Sequence, residues 1–484
     1  MASVSKVLVA NRGEIALRVM RTCREMGIPT VAVYAEPDAR APHVYFADDR
    51  VALHAPSPRQ AYLDIEQLVR AAREGGADAV HPGYGFLSEN ADFAEACTGA
   101  GLTFIGPPPT SIRAMGDKVE ARRRMMEAGV PVVPGTSALP TTEVAQKEAE
   151  RIGFPVLVKA AAGGGGIGMR VAQNPQELPA AFEGCRRAAQ ASFGSPDVYL
   201  ERYLAHPRHI EMQVLADAHG STLALGEREC SIQRRHQKLL EETPAVGLKQ
   251  ARREAMAEAA VKAAAAVGYV NAGTVEFIVS SDDFYFLEMN TRLQVEHPVT
   301  ESVLGVDLVR EQIRVARGER LPADGYPSSR GHAIEFRVNA EDPLRNFMPT
   351  PRRVHRYAAP TGPGVRVDSG IRPHQDISPH FDSLILKLIV WADHREAAIG
   401  RGRRALAELV ITGPKTTVPF HRAVLEEPDF IEGRISTSFI QDHPALLERT
   451  QQFAAQASPL ELLYGGGEVA AAIAAGVVVA AEPS

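Results

Sequence analysis

Four polar side chains at alternate positions carry the first chemical signal in this chain: Glu288, Asn290, Arg292 and Gln294, within FYFLEMNTRLQVEHPVTE at residues 284–301. In an extended backbone successive side chains point to opposite faces, so these four project one way while Leu287 and Met289 project the other. A solvated strand face produces the same alternation. The segment upstream favours chemistry. In AGTVEFIVSSDDFYFLEMN two β-rich runs, TVEFIV and FYFLEM, flank a Ser-Ser-Asp-Asp turn signal, which predicts a hairpin. Glu276 and Glu288 are equidistant from Asp282, so a turn centred there sets them opposite each other with Cβ atoms about 5 Å apart. Two bare carboxylates that close repel. Either one is protonated or a cation sits between them, and hard oxygen ligands with the Asn290 amide nearby suit Mg²⁺ or Mn²⁺.

Magnesium commonly accompanies phosphate, and KAAAGGGGIGMR at residues 159–170 is a candidate phosphate cradle. A glycine run can be a flexible linker. Its position between two strand-like runs, FPVLVKA and GMRVA, favours a hairpin loop whose backbone N–H groups close over phosphate oxygens. Lys159 adds a point charge to the same oxygens. The sequence contains no GxxxxGK[ST], so this is not a Walker A loop.

Such groups need rigid elements to hold them. From Lys6 to Gly106, short apolar runs (KVLVA, TVAVY, DAVHP, LTFIG) alternate with amphipathic stretches such as EIALRVMRTCREMG, the βαβ rhythm of a doubly wound parallel sheet. NRGEIA after the first strand lacks the GxGxxG spacing of a dinucleotide fold. A helix and a Pro-rich connection occupy 114–135, a second α/β unit runs to about 330, and GHAIEFRVNAEDP restarts a β-rich pattern. With 484 residues, 45% apolar and 23% charged, the chain has room for several domains. A net charge of −6 argues against a nucleic-acid surface, and the basic run Arg122 to Arg124 reads as a solvated helix face. Cys23, Cys97, Cys185 and Cys230 lie far apart with no CxxC, which fits a reducing cytoplasm better than a zinc site or a disulfide framework. MASVSKVLVANRGE does not have the layout of a signal peptide, and VAAAIAAGVVVAA at 469–481 is too short to span a bilayer.

The hairpin, the Gly-rich loop and the lysine ahead of it together suggest an ATP-grasp ligase. More specifically, the chain resembles the biotin carboxylase component of biotin-dependent carboxylases, from Lys6 to about residue 445. The resemblance is carried by IALRVMR, HPGYGFLSEN, MGDK, KAAAGGGG, CSIQRRHQK, GTVEF, EMNTRLQVEHPVTE and EFRVNAEDP. It implies an α/β ATP-grasp fold in four parts: an N-terminal doubly wound parallel-sheet domain over 1–113, an ATP-grasp domain over 114–330 with a mobile lid at about 132–203, a mixed α+β C-terminal domain over 331–447, and an Ala/Val-rich tail over 448–484.

The resemblance also implies roles. Lys118, Lys159 and His209 hold ATP phosphates under Gly163, Gly164, Gly165 and Gly166. Glu201, Arg202 and Leu204 form the adenine hinge, with Gln233 and His236 beside the nucleotide, and Glu276, Glu288 and Asn290 hold Mg²⁺ or Mn²⁺. Lys238, Arg292, Gln294 and the backbone of Val295 bind bicarbonate, Glu296 is its general base, and Arg337 stabilises the enolate of the biotin ureido group. Spacing alone also allows a plain Glu296–Arg292 salt bridge, a solvated Arg337, structural roles for His209 and His236, and a buried structural thiol at Cys230 rather than a proton relay.

Departures from the family pattern are Ile167, where the loop usually has Lys or Arg, Arg352 in place of a Gly, and Phe336 in place of a frequent Cys. Arg18, Arg21 and Glu25 form one polar stripe on the first helix, which the family uses at a two-fold interface, so a homodimer is expected. None of the eleven methionines precedes a lysine, so biotin is expected as a substrate on a separate carrier protein, with separate carboxyltransferase subunits as further partners. Acetyl-CoA, propionyl-CoA and pyruvate all remain open as final acceptors. The rivals are a component of a two-subunit pyruvate carboxylase, another ATP-grasp ligase, and a non-catalytic nucleotide-binding regulator.

Overall fold

The computed structural model describes residues 4–161, 169–280 and 283–456. A five-stranded parallel sheet opens the chain: β1 (Val7–Val9), β2 (Thr30–Tyr34), β3 (Asp49–Ala52), β4 (Ala79–His81) and β5 (Thr103–Phe104), in the order β3-β2-β1-β4-β5. Its central strand is buried on both faces, with Val7 and Val9 in one core and Leu8 in another, as expected for a parallel sheet covered by helices. The apolar rhythm marked four of these strands. β3 escaped it because an edge strand can carry exposed Asp49 and Arg50.

A small antiparallel sheet follows, with β6 (Val156–Ala160) between β7 (Arg170–Ala172) and β8 (Val198–Arg202). It packs with the helices Thr142–Ile152 and Leu178–Phe193 around a core of its own. The antiparallel pairing of β6 with β7 is the one expected of the strand-like runs on either side of the Gly-rich segment. The glycines expected to cover phosphate, Gly163 to Gly166, and the departure at Ile167 lie outside the described residues, as does the tail from residue 457.

The remainder is built on one eight-stranded sheet. It contains β9 (Arg208–Ala216), β10 (Thr222–Arg234), β11 (Gln237–Thr243), β12 (Asn271–Val279), β13 (Phe284–Asn290) and β14 (His332–Asn339). Two short ladders intervene, β15 (Glu341–Asp342) with β16 (Met348–Pro349) and β17 (Arg356–Ala358) with β20 (Val410–Thr412), and β18 (Val365–Ser369) and β19 (Leu384–Ala392) complete the large sheet. Its order is β13-β12-β9-β10-β11-β14-β19-β18. The hydrogen bonds between β11 and β14 therefore join the hairpin that carries Glu276 and Glu288 to the strands that carry Arg337.

Two surface expectations are corrected. Arg18 does not belong to an exposed stripe. It is buried and donates to Glu301 and Asp307, at 2.7 Å each, because the boundary of the helix Gly13–Glu25 meets buried carboxylates there, while Arg21 and Glu25 stay exposed. In the basic run, Arg123 is a solvated residue paired with Glu120 and Glu127, but Arg122 turns inward to 3.5 Å from Glu201. No helix among the described residues is long and apolar enough to cross a membrane.

Candidate active site

The predicted hairpin places Glu276 on β12 directly opposite Glu288 on β13. The strand ends at Asn290, so Arg292 and Gln294 do not reach the site by strand alternation. The loop after β13 folds them back. Arg292 donates to Asn290 Oδ1 at 3.0 Å and to Gln294 Oε1 at 2.7 Å, and Asn290 and Gln294 each donate to Glu276 Oε1 at 2.9 Å. Glu89, in the HPGYGFLSEN stretch, fixes the other side of this guanidinium at 2.9 Å. On the far side of the strand, Met289 is buried while Leu287 is 39% exposed.

Lys238 is the hub. Its ammonium donates to Glu211 at 2.6 Å, Glu276 at 2.8 Å and Glu296 at 2.7 Å. Burial alone would lower its pKa, but the three carboxylates outweigh that and hold it well above the ordinary lysine value. Glu296 is fully buried and accepts from Lys238 on Oε1 and from Arg337 on Oε2, the latter at 2.9 Å. Burial pushes its pKa up, yet Lys238, Arg337 and Arg228 pull it well below the usual carboxylate range, so Glu296 is ionised. Arg337 also donates to Glu241, a carboxyl that burial raises to about 7 against the pull of Arg337.

Glu276 and Glu288 differ sharply. Burial raises the Glu276 pKa, but Lys238 and His209 bring it far below its ordinary value. Glu288 is raised by burial and then by Glu276 itself, and no described cation lies within 4 Å of it. His209, Glu211 and Glu276 also bring ligand atoms within 4.8 Å of one another. Lys238 already bridges two of those three, so the carboxylate whose charge lacks a partner is Glu288. Its pairing with Glu276 and Asn290 is the oxygen-rich set that suits Mg²⁺ or Mn²⁺.

Lys238, Glu276, Glu288, Asn290, Arg292, Gln294 and Arg337 line one cleft of about 2310 Å³, shared with Lys118, Lys159, Glu201, Arg202, Leu204, His209, Gln233, His236 and Val295, while Glu296 lies buried behind Lys238 and Arg337. Lys118 begins the helix Lys118–Glu127, whose N-terminus is capped by Asp117. Lys159 on β6 pairs with Glu201 on β8. His236 sits at φ +66° in the turn between β10 and β11, which sets Gln233 and Lys238 directly opposite each other in the ladder. His209 Nε2 lies 2.9 Å from Glu276 Oε2. Cys230 lies 3.9 Å from Glu296, and burial raises its thiol pKa well above normal, so it stays protonated. Glu211, Arg228 and Glu241 carry no local signature in the sequence and join the site through pairing across strands, whereas Glu89 reaches it by loop contacts with the Thr291 amide and Arg292.

Family models cover the chain almost end to end. Residues 3–112 match the biotin carboxylase N-terminal domain, 117–324 the ATP binding domain of the carbamoyl-phosphate synthase L chain, and 335–442 the biotin carboxylase C-terminal domain. The chain is 53% identical over 440 residues to a biotin carboxylase of Nostoc sp., covering 90% of this chain and 98% of that protein. The chain belongs to the biotin carboxylase family. It is an ATP-dependent ligase with the ATP-grasp fold. It is also 52% identical over 441 residues to one of the pyruvate carboxylase subunits of Methanothermobacter thermautotrophicus, covering 91% and 90% of the two chains.

Among solved structures, a biotin carboxylase–β,γ-ATP complex from Campylobacter jejuni superposes with TM-score 0.86 at 46% identity, covering 91% of this chain and 99% of that one. The biotin carboxylase domain dimer of Hydrogenobacter thermophilus 2-oxoglutarate carboxylase, in complex with MgADP, ADP and bicarbonate, gives 0.85 at 47%, covering 92% and 98%. Biotin carboxylase models on both flanks of the shared ATP-binding unit separate this chain from other ATP-grasp ligases.

Proposed function

We propose that this biotin carboxylase uses ATP and bicarbonate to carboxylate biotin held on a separate carrier protein, with Glu296 as the base of the first step. The observation that carries this reading is the ionised Glu296 carboxylate, buried between Lys238 and Arg337 and one short loop from Arg292. Bicarbonate is a weak nucleophile. A carboxylate within hydrogen-bond reach takes its proton as its oxygen attacks the γ-phosphorus of ATP, while Arg292, Lys238, Gln294 and the Val295 backbone orient it. Carboxyphosphate and ADP result. Carboxyphosphate breaks down to CO₂ and phosphate, and the phosphate takes the ureido N–H proton of biotin. The biotin nitrogen then attacks CO₂, and Arg337 stabilises the enolate formed on the ureido oxygen. Arginine suits both anion sites because its fork is planar and stays charged at any working pH.

Lys118, Lys159 and His209 hold the phosphates in this reading, and Glu201, Arg202, Leu204, Gln233 and His236 surround the nucleotide. Glu276, Glu288 and Asn290 fit Mg²⁺ or Mn²⁺ because Glu288 is a half-buried carboxyl raised by desolvation and by its neighbour Glu276, a charge defect that a divalent cation relieves. The metal supplies charge neutralisation at the phosphates. The four cysteines, all buried and none of them in a disulfide, suit a cytoplasmic enzyme. A homodimer is proposed because the Hydrogenobacter domain is a dimer, with Arg21 and Glu25 exposed on the helix Gly13–Glu25.

The test is ATP cleavage that depends on bicarbonate and is stimulated by free biotin; cleavage indifferent to both would defeat the reading. The final acceptor belongs to a separate carboxyltransferase, and both acyl-CoA and pyruvate systems share this half-reaction. Co-purification of the partner transferase decides between them.

A further inference from the structure

Val295 and Glu296 are consecutive residues, and two cations on one sheet face hold them. Arg337 on β14 and Lys387 on β19 are directly opposite partners in an antiparallel ladder, so their side chains leave the sheet on the same side. Arg337 donates to the Glu296 carboxylate at 2.9 Å, and Lys387 Nζ donates to the Val295 carbonyl at 2.7 Å. Like charges opposite one another destabilise a strand pair, and Lys387 is completely buried. A buried ammonium is costly unless it is partnered. Its partners come from distant parts of the chain. Glu14 Oε1, in the first turn of the helix Gly13–Glu25, lies 3.6 Å away, and Asp368 occupies the directly opposite position on β18. The Tyr84 ring centroid is 5.7 Å from Nζ. Glu14 is seated by close backbone contact, since a Cβ at Gly370 would lie 2.7 Å from the Glu14 amide nitrogen. The ammonium is therefore fixed between the N-terminal helix, β18 and the loop that carries the base.

We propose that Lys387 is a positioning residue for the carboxylation reaction, holding the Val295–Glu296 peptide so that the Glu296 carboxylate and the Val295 N–H meet bicarbonate in one geometry. This inference rests on the reading of Glu296 as the base. Lys387 touches no reactant. Its effect reaches the chemistry through the backbone, where a displacement of about 1 Å can cost about 10²-fold in rate.

The experiment compares Lys387→Met, which keeps length and apolar volume but removes the donor, with Lys387→Gln, which keeps a shorter donor. In the purified full chain, Lys387→Met should lower kcat for bicarbonate-dependent ATP cleavage by about 10- to 100-fold and leave the KM for ATP within about twofold. Lys387→Gln should recover part of that loss. Added to Glu296→Gln, Lys387→Met should cost little more, because the group it positions is already gone. An unchanged kcat, a full additional loss in the Glu296→Gln background, or a parallel collapse of ATP binding and melting temperature would overturn the proposal. If Lys387→Met does not fold, Lys387→Gln carries the same measurements, and an unchanged kcat there overturns the proposal equally. Near-normal turnover in Glu296→Gln by itself would defeat the base assignment instead, so the two failures are distinguishable.

Discussion

Glu276 and Glu288 face each other across β12 and β13, yet among the described residues only Glu276 has basic side chains within 4 Å, Lys238 at 2.8 Å and His209 at 2.9 Å, with Asn290 and Gln294 beside it at 2.9 Å. At Glu288 burial and the repulsion of Glu276 outweigh the more distant pull of Lys118 and Lys238. The asymmetry explains how two facing carboxylates coexist and points to Glu288 as the group that gains most from a divalent cation.

Glu288→Gln is therefore expected to raise the Mg²⁺ concentration for half-maximal activity by about tenfold or more, since it removes one of two facing carboxylates. A Mg²⁺ titration of ATP cleavage measures this. An unmoved midpoint would mean that the metal, if any, sits elsewhere.

Glu296→Gln is isosteric and should leave ATP binding intact while lowering bicarbonate-dependent turnover by about 10² to 10⁴, the usual range for loss of a general base. Nucleotide binding by calorimetry and steady-state kinetics on the same preparation separate the two effects. Turnover close to that of the parent enzyme would contradict the assignment.

The pH dependence of stability carries a signature of Glu14. Burial raises this carboxyl from 4.5 to about 7, with Lys387 opposing. The folded state then binds the proton more tightly than the unfolded state, so the contribution is fully present below pH 4.5 and is lost as pH rises through about 7. Glu14→Gln removes the titration. The stability difference, parent minus variant, should favour the parent most below pH 4.5 and decline by on the order of 3 kcal/mol through neutrality. Thermal melts of both proteins across that range check it, and a difference independent of pH would refute it.

Arg21 is 46% exposed and 3.8 Å from Asp368 of its own chain. If this helix forms the two-fold contact, Arg21→Glu should place like charges across it and raise the dimer dissociation constant by about tenfold or more. Light scattering over a dilution series reads the change. A parent protein that is monomeric at micromolar concentration would rule out the homodimer.

The hairpin was legible because its information is local. A turn signal between two β-rich runs marked the hairpin and the Glu276–Glu288 pair, although a register shift between Glu276 and Phe277 leaves the pairs nearer the turn one residue off a turn centred at Asp282, and the parallel sheet was legible from short apolar runs separated by amphipathic helices. The motif EMNTRLQVEHPVTE marked Arg292, Gln294 and Glu296 as site residues, although alternation gave the wrong reason for their convergence: the strand stops at Asn290, and a loop bonded to Glu89 and Glu276 folds them back.

What the sequence by itself determined was the set of residue types and the local elements that carry them. The tertiary structure alone decided the charge states. Lys238 stays charged because Glu211, Glu276 and Glu296 arrive from three different segments, and Glu296 stays ionised because β14 brings Arg337 to its second oxygen. Arg18 looked like a surface residue until Glu301 and Asp307, more than 280 residues away, met it in the interior. Lys387 gave no signal at all, since one lysine in an apolar strand acquires meaning only from the carbonyl and carboxylates around it. Electrostatic energy in a buried site depends on distances between groups far apart in the chain, and no local pattern of residues encodes those distances.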